Sequence, residues 1–139
     1  MPDVPLDVVE RLRAICLALP EAYEENAWTG VRWCVRKRTF AHVLTIDETG
    51  PDAYARFIAT EGEVTVVTFR APGDELEAFV QAGPPYFVAR WGRDVVGLEL
   101  RDDTDWDELA ELLTDSFCVL APHKLVARVQ LPGSPPGPA

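Results

Sequence analysis

The 139-residue chain has few of the residues from which metal sites and disulfide scaffolds are built. It has three cysteines, two histidines and no CxxC pair. Cys16, Cys34 and Cys118 are dispersed and odd in number, which is typical of free thiols in a reducing compartment. His42 and His123 lack the paired spacing of a zinc site. We therefore expect no structural disulfide, no metal ion and no other cofactor.

The chain also lacks long apolar runs and the common signatures of catalysis. No apolar stretch approaches the roughly eighteen residues that a membrane-spanning helix needs, and no signal peptide is visible. We expect a cytoplasmic protein that does not contact a membrane. No glycine-rich loop leads into a helix, and neither Ser116 nor Ser134 lies in a GxSxG context. The sequence therefore disfavours an enzyme and offers no catalytic residue.

Length and composition are those of one ordinary globular domain. The apolar fraction of 47% suffices for a normal core in a chain of this size. We predict a single domain over residues 1–130, and a monomer is favoured. Residues 131–139 (LPGSPPGPA) are rich in proline and glycine, so we predict a flexible tail.

Charge is abundant but unevenly placed. The formal net charge is −10, which works against general affinity for nucleic acid. Seven acids and no base lie between Asp102 and Asp115, and we interpret this run as a solvated helix face. The stretch from Val31 to Thr45 is the reverse, since it holds no acid and four basic side chains: Arg32, Arg36, Lys37 and Arg38.

Hydrophobic spacing predicts a two-layer α+β fold in the order αβββαββαα. Short hairpins predict a mainly antiparallel five-stranded sheet with helices on one face. The predicted helices cover Leu6–Leu19, Pro72–Gln81, Trp106–Leu120 and a short segment after Pro122, and the predicted strands cover Val31–Val35, Phe40–Thr45, Val64–Phe69, Tyr86–Ala89 and Val95–Leu100. Residues 21–30 are interpreted as a linker.

Three local details follow from the same patterns. The turn near Arg36 to Thr39 lacks glycine and asparagine, so we expect a longer or bulged turn instead of a tight one. Thr104 with Asp107 resembles a capping box for the third long helix. We expect apolar side chains of two helices to face the core, namely Leu76, Phe79, Val80, Trp106, Leu109, Leu113 and Phe117.

Several short segments, in order along the chain, carry a family resemblance. They are Leu19-Pro20-Glu21-Ala22, Trp28, the Val35–Ala41 hairpin ending in Phe40-Ala41, Pro85-Tyr86, Trp91, Asp105-Trp106-Asp107-Glu108-Leu109 and Ala121-Pro122-His123-Lys124-Leu125. With this order and spacing, the chain resembles the MmcQ/YjbR-like family of small bacterial proteins from about Pro5 to Val129. The resemblance implies a two-layer fold grouped with the frataxin-like CyaY shape or the secretion-chaperone shape. It also implies DNA binding through two β-hairpin wings.

Carried over to this chain, the wings are the hairpins around Arg36-Lys37-Arg38 and Arg90-Arg93. Two positions depart from the family pattern: Lys37 stands where the first turn usually has glycine, and His123-Lys124 stands where the family has a basic pair. The residues predicted to contact nucleic acid are Arg32, Arg36, Lys37, Arg38, Arg90, Arg93 and Lys124. The expected partner is DNA, bound weakly and without sequence preference.

Two other functions remain open on the sequence alone. The sheet or the acidic helix could bind another protein, which would make the chain an interaction module. Alternatively, aromatic side chains could line a pocket for a small ligand or an enzyme substrate. The candidate pocket residues are Trp28, Trp33, Arg70, Tyr86 and Trp91.

Overall fold

The computed structural model describes residues 3–47, 62–89 and 94–129, and these form one antiparallel sheet with helices. The elements in chain order are α1 (Leu6–Cys16), β1 (Tyr23–Asn26), β2 (Val31–Val35), β3 (Arg38–Ile46), β4 (Val64–Arg70), a 3₁₀ turn (Gly73–Glu75), α2 (Leu76–Ala82), β5 (Tyr86–Val88), β6 (Val95–Glu99), α3 (Trp106–Leu120) and α4 (His123–Val126). The strand order across the sheet is β1-β2-β3-β4-β6-β5. The predicted α+β class is confirmed.

The sheet has six strands where the sequence predicted five, because the expected linker contains β1. This strand is polar, and it pairs with β2 along the sheet edge. Glu24 fixes it to the helix layer: both carboxylate oxygens accept hydrogen bonds of 2.9 Å from the Arg13 guanidinium, and Oε1 also accepts one of 2.9 Å from the Trp33 indole. A strand held by polar contacts has no apolar alternation, so hydrophobic patterning did not reveal it.

Alternation along the central strands separates two sheet faces. Residues such as Val43 and Val67, which are register partners, join the cluster that packs under α1 and α3. Their neighbours Leu44 and Val66 point to the opposite side, called here the far face, where both are completely buried. Phe79 of α2 also packs on the helix side, so α1, α2 and α3 all contribute to that layer.

Helix α3 supplies much of the core. Leu109, Leu113 and Phe117 are fully buried, as predicted, and Phe117 meets Phe40 edge to face at 5.5 Å between ring centroids. Each such side chain stabilises the fold by about 1.5–3 kcal/mol through burial. Trp106 is only half-buried, because it lies at the first turn of the helix.

Two other sequence expectations about the helices were wrong. The N-cap of α3 is Asp105, whose side chain accepts hydrogen bonds from the backbone N–H groups of Asp107 and Glu108 at 3.1 Å. The Thr104 hydroxyl instead accepts one from the backbone N–H of Arg101. Val80 of α2 is 56% exposed and does not face the core, since α2 packs through Leu76 and Phe79.

The turn between β2 and β3 is tight, not long or bulged at its tip. Val35 pairs directly with Arg38, so only Arg36 and Lys37 make the turn. Both have positive φ, 50° and 66°, as the two-residue turns that match sheet twist require. The irregularity lies further along the hairpin, where the register shifts between Trp33 and Cys34 and leaves Phe40 as an extra residue on β3.

At this bulge, a buried hydroxyl from α3 forms hydrogen bonds with both neighbouring strands of the sheet. Ser116 donates a hydrogen bond of 2.6 Å to the Phe40 carbonyl and accepts one of 2.7 Å from the backbone N–H of Arg70. The register pairs of β3 and β4 begin one residue further in, at Ala41 with Phe69. The Ser116 hydroxyl is completely buried and therefore takes the place of a ladder bond at the edge of the pairing.

We expect Ser116→Ala to lower the free energy of unfolding by about 2–6 kcal/mol, since two buried backbone groups lose their partner at about 1–3 kcal/mol each. Thr114→Val is the matched control. The Thr114 hydroxyl is also buried, but it donates only to the Ala110 carbonyl within the same helix. Urea unfolding compares the two variants, and equal losses would contradict the bridging role of Ser116.

Candidate functional site

Exposed basic side chains gather at one end of the sheet. Arg36 and Lys37 form the β2–β3 turn, and Arg38 follows it. Arg128, just after α4, reaches the same place: its guanidinium lies 3.8 Å from a Glu21 oxygen, while Arg36 lies 3.3 Å from the other oxygen of the same carboxylate. We call this surface the cationic end, and it consists of Arg36, Lys37, Arg38, Lys124 and Arg128.

Lys124 and Arg128 lie at the cationic end because α3 and α4 bring the chain back to the β2–β3 turn. Helix α3 runs toward the β2–β3 turn, since its late residues Ser116 and Phe117 contact Phe40. Helix α4 follows directly, with Lys124 exposed upon it and Arg128 one turn further on. Lys124 is among the residues predicted from the sequence, whereas Arg128 is not. Arg128 lies four residues after Lys124, and in a helical segment this spacing places two side chains on one face. That spacing could have identified Arg128 from the sequence.

The acidic residues lie at the other end of α3. The acids in and before its first turn are exposed, namely Asp102, Asp103, Asp105, Asp107 and Glu108. Helix α3 has 15 residues and is therefore about 22 Å long. That length is more than twice the screening distance of about 8 Å at physiological salt. These five acids therefore do not neutralise the cationic end, whereas Glu111 and Asp115 lie further along α3 toward it.

Pairing with acids differs among the basic residues of the first hairpin. Within residues 3–47, 62–89 and 94–129, Lys37, Arg38 and Lys124 have no ion pair within 4 Å. Arg36 shares Glu21 with Arg128, and the pair is exposed. Such exposed pairs contribute little to stability, so Arg36 stays available to an anion.

Arg32 does not join the cationic end. Its guanidinium pairs with Glu25, the partner of Arg32 in the β1–β2 register, on the far face of the sheet. Only the residues that flank the second predicted wing are described. Of these, Val95 pairs with Arg70 at the end of β4 that lies toward the β2–β3 turn. Arg90 and Arg93 themselves lie outside the described residues.

A pocket of about 290 Å³ opens on the far face next to this hairpin. We call it the far-face pocket. Its polar and aromatic lining comes from three neighbouring strands and the β1–β2 turn, and comprises Trp28, Arg32, Thr39, His42, Thr68, Phe69 and Arg70. None of the described residues that line it is acidic. The pocket thus brings together two predicted pocket residues, Trp28 and Arg70, with one predicted phosphate contact, Arg32.

His42 is a neutral hydrogen-bonding residue in this pocket. Its Nε2 lies 2.7 Å from the Thr29 carbonyl, which can only accept, so Nε2 carries the proton and Nδ1 is an acceptor. Burial is the main cause that lowers the pKa of His42 below its ordinary value, and the nearby Arg32 charge lowers it further. At neutral pH the His42 ring therefore adds no charge to the far-face pocket.

One donor in the far-face pocket has no partner in the part of the chain that the structure describes. The Nε atom of Arg32 is buried and has no hydrogen-bond partner among the described residues, although its guanidinium contacts Glu25 through an Nη atom. A buried unpaired N–H group is unfavourable by about 1–3 kcal/mol, and more when the group is charged. Trp28 is 76% exposed, so a large flat ring stands at the border of the pocket.

The other predicted pocket aromatics do not line the far-face pocket. Trp33 is fully buried in the core, where its indole N–H bonds to Glu24. Tyr86 lies on the helix side, and its hydroxyl donates to Glu108 at 2.9 Å. Burial, together with this carboxylate, raises the pKa of Tyr86 to about 12. Trp91 lies outside the described residues.

A second cavity, of about 500 Å³, lies between the start of α1 and the start of α3. Arg11 and Arg101 line it, but so do four acids, Asp7, Glu63, Glu99 and Asp102. Arg11 already stacks on Trp106 at 4.1 Å. Charges of both signs give this cavity no clear preference for an anion or a cation.

The part of the chain that the structure describes holds no cluster of three metal-ligating side chains. It also contains no helix that is long and apolar enough to cross a membrane.

Comparisons with known structures agree with this architecture. A crystal structure of a protein from Pseudomonas syringae matches with a TM-score of 0.63 and 11% identity, covering 85% of this chain and 99% of that one. Protein DR2400 of Deinococcus radiodurans, which carries the domain DUF419, matches with a TM-score of 0.60 and 19% identity, covering 93% and 92%. At such identities the likeness establishes the fold alone. No match is found among curated proteins.

The fold defines a small α+β protein with one antiparallel sheet backed by helices. The family model described as YjbR matches residues 17–119. The chain therefore belongs to the YjbR family, and the resemblance found in the sequence is confirmed.

The buried His42 makes stability depend on pH. Since its pKa is lower in the folded state than the ordinary 6.5, protons favour the unfolded chain. This contribution to stability is complete above pH of about 6.5 and is lost as pH falls through the lowered pKa. We expect the wild type to lose more stability than His42→Gln between pH of about 7.5 and about 5 in urea unfolding. Equal losses would contradict the assignment of a neutral buried His42.

Proposed function

We propose that this protein binds DNA weakly and without sequence preference through its cationic end. The observation that carries the proposal is the separation of charge along the molecule. Among the described residues, Glu21 is the only acid that ion-pairs with the five exposed basic side chains, and the acidic start of α3 lies about 22 Å away. Phosphate binding needs such a local positive footprint, whatever the net charge of the chain.

The backbone of the first turn gives independent support. Lys37 has a φ of 66°, a region in which a side chain is disfavoured by about 1–2 kcal/mol and glycine is not. A charged residue therefore occupies a position at which the backbone favours glycine. Strain of this kind points to a functional use of the side chain, and contact with phosphate is the use that a protruding lysine serves best.

The geometry also limits the affinity. Arg32 is turned to the far-face pocket, and Glu21 offsets one charge of the cationic end. A net of about four positive charges remains to displace counterions from DNA. The acidic remainder of the protein opposes approach, so we expect a dissociation constant weaker than about a micromolar at physiological salt.

We expect a log–log salt slope near −3.6 for the wild type, and a loss of affinity of about a hundred-fold between about 50 and 200 mM salt. Lys37→Glu/Arg38→Glu should abolish most of this binding. The control is Arg11→Glu/Arg101→Glu, which changes the net charge by the same amount at the opposite end of the molecule. A fluorescence titration of labelled duplex DNA measures all three proteins.

The control separates a local site from overall charge. If both double variants lose affinity equally, net charge and not the cationic end governs binding. If the wild type shows no binding at about 50 mM salt, the proposal fails. The acidic start of α3 would then be the surface to test, as the binding site of a basic protein partner.

Stability and DNA affinity should respond in opposite directions to Lys37→Gly. Glycine adopts a positive φ without strain, which stabilises the folded state, but its greater conformational entropy stabilises the unfolded chain. Together we expect a gain of about 0.5–1 kcal/mol in the free energy of unfolding. The lost charge should reduce the salt slope by about 0.9. Lys37→Gln is the control, because it removes the charge and keeps the strain. A stability gain in both variants would contradict the strain argument.

A further inference from the structure

We propose that Arg36 and Arg128 form a clamp for the terminal phosphate of a DNA strand, and that the Glu21 carboxylate occupies this clamp in the free protein. We call the two arginines the phosphate clamp. The inference deepens the proposed function and, for DNA as the carrier of the phosphate, rests on it. Its support is the arrangement of two guanidinium groups around one exposed carboxylate.

The Glu21 carboxylate lies loosely between the two arginines. Its two oxygens lie 3.3 and 3.4 Å from one Nη atom of Arg36, and one of them lies 3.8 Å from an Nη atom of Arg128. Charge-assisted hydrogen bonds from a guanidinium to a carboxylate are usually about 2.7–2.9 Å long. All three contacts are longer, so the clamp is wider than a carboxylate fills. A phosphate group is larger and offers more oxygens to the two guanidinium groups.

The phosphate clamp is open to an incoming ligand. The side chains of Glu21, Arg36 and Arg128 are 47%, 44% and 62% exposed. Exposed ion pairs of this kind contribute little to stability, so a stronger anion can displace the carboxylate. Within residues 3–47, 62–89 and 94–129 the Glu21 side chain makes no other hydrogen bond or ion pair. Its release therefore breaks no further contact among these residues.

The backbone around the phosphate clamp gives independent support. Glu21 has a φ of 57°, in the left-handed region that disfavours a side chain. Four described residues other than glycine have positive φ, and three of them, Glu21, Arg36 and Lys37, lie at this end of the sheet. Residues held in this region cluster at functional sites, where their side chains are used. The clustering favours a working site over an incidental surface ion pair.

Charge selects a terminal phosphate over the phosphates within a strand. Each phosphate within a strand carries one negative charge, as the Glu21 carboxylate does. Because Glu21 belongs to the same chain, it competes at an effective concentration on the order of millimolar, and a phosphodiester gains little by replacing it. A terminal phosphate carries a charge of about −1.5 to −2 and three free oxygens, so it displaces the carboxylate. The phosphate clamp therefore favours DNA ends.

A fluorescence titration of the full chain with short duplexes tests the proposal. The duplexes are labelled at an internal base and end in a 5′ phosphate, a 3′ phosphate or hydroxyl groups only. At about 100 mM salt we expect at least one phosphorylated duplex to bind about fivefold more tightly than the hydroxyl-ended one. Arg36→Gln and Arg128→Gln should each reduce this preference to less than about twofold. The control Arg101→Gln also removes an exposed, ion-paired arginine, but at the opposite end, and should keep the preference.

Glu21→Gln measures the competition by the carboxylate. It should tighten the binding of the hydroxyl-ended duplex by about five- to tenfold at about 100 mM salt and steepen the salt slope by about 0.9, because the clamp becomes free for a phosphodiester. Glu111→Gln is the matched control, since it changes the net charge by the same amount. Glu111 is an exposed acid of α3 without an ion pair among the described residues. It should change the affinity by less than about twofold.

Failure of the phosphate clamp and failure of DNA binding give different results. If the duplexes bind but their ends make no difference, or if Arg101→Gln loses the preference as Arg128→Gln does, the clamp is overturned and DNA binding by the cationic end stands. Equal gains for Glu21→Gln and Glu111→Gln also overturn it.

If no duplex binds at about 50 mM salt, the proposed function fails, and an NMR titration with thymidine 5′-monophosphate to about 10 mM decides the clamp. A shift of the Lys37 backbone amide that Arg128→Gln abolishes supports a clamp for a free phosphomonoester. The absence of a shift, or an equal shift in Arg128→Gln, overturns it.

Discussion

The Ser116 hydroxyl is the contact on which the two candidate sites depend. It lies between the Phe40 carbonyl and the Arg70 backbone N–H, where an extra residue on β3 interrupts the regular pairing. Because both groups are buried, their hydrogen bonds must come from the protein. The single hydroxyl therefore holds α3 against β3 and β4 at the end of the sheet where both candidate sites lie.

From this contact the rest of the site geometry follows. Fixing the backbone of Arg70 fixes the base of a side chain that lines the far-face pocket. Fixing the late turns of α3 directs α4 and Arg128 to the β2–β3 turn, where Glu21 bridges Arg128 and Arg36. The same helix places the five acids of its start away from this end, because its first turn lies about 22 Å distant. One helix thus sets both the contents of the cationic end and its separation from opposing charge.

The predictions that succeeded came from long, periodic or strongly charged segments. The stripe of Leu109, Leu113 and Phe117 predicted the buried face of α3, and the alternation around Trp33 predicted β2. Those that failed concern local contacts of polar atoms. Strand β1 is held by Glu24, and the β2–β3 turn adopts positive φ without glycine or asparagine. The first depends on Arg13 and Trp33, outside the strand, and the second on the direct pairing of Val35 with Arg38; both override local propensity.

The candidate sites show the same division. Sequence by itself determined the α+β class, the family and the concentration of charge in the first hairpin, because these depend on composition and on regular spacing. Only the tertiary structure decided that Arg32 leaves that group and joins His42 and Arg70, and that Arg128 enters it. The reason is physical: strand register determines which side chains share a face, and helix packing determines which chain ends meet. Neither register nor packing is encoded in the spacing of charged residues along the chain.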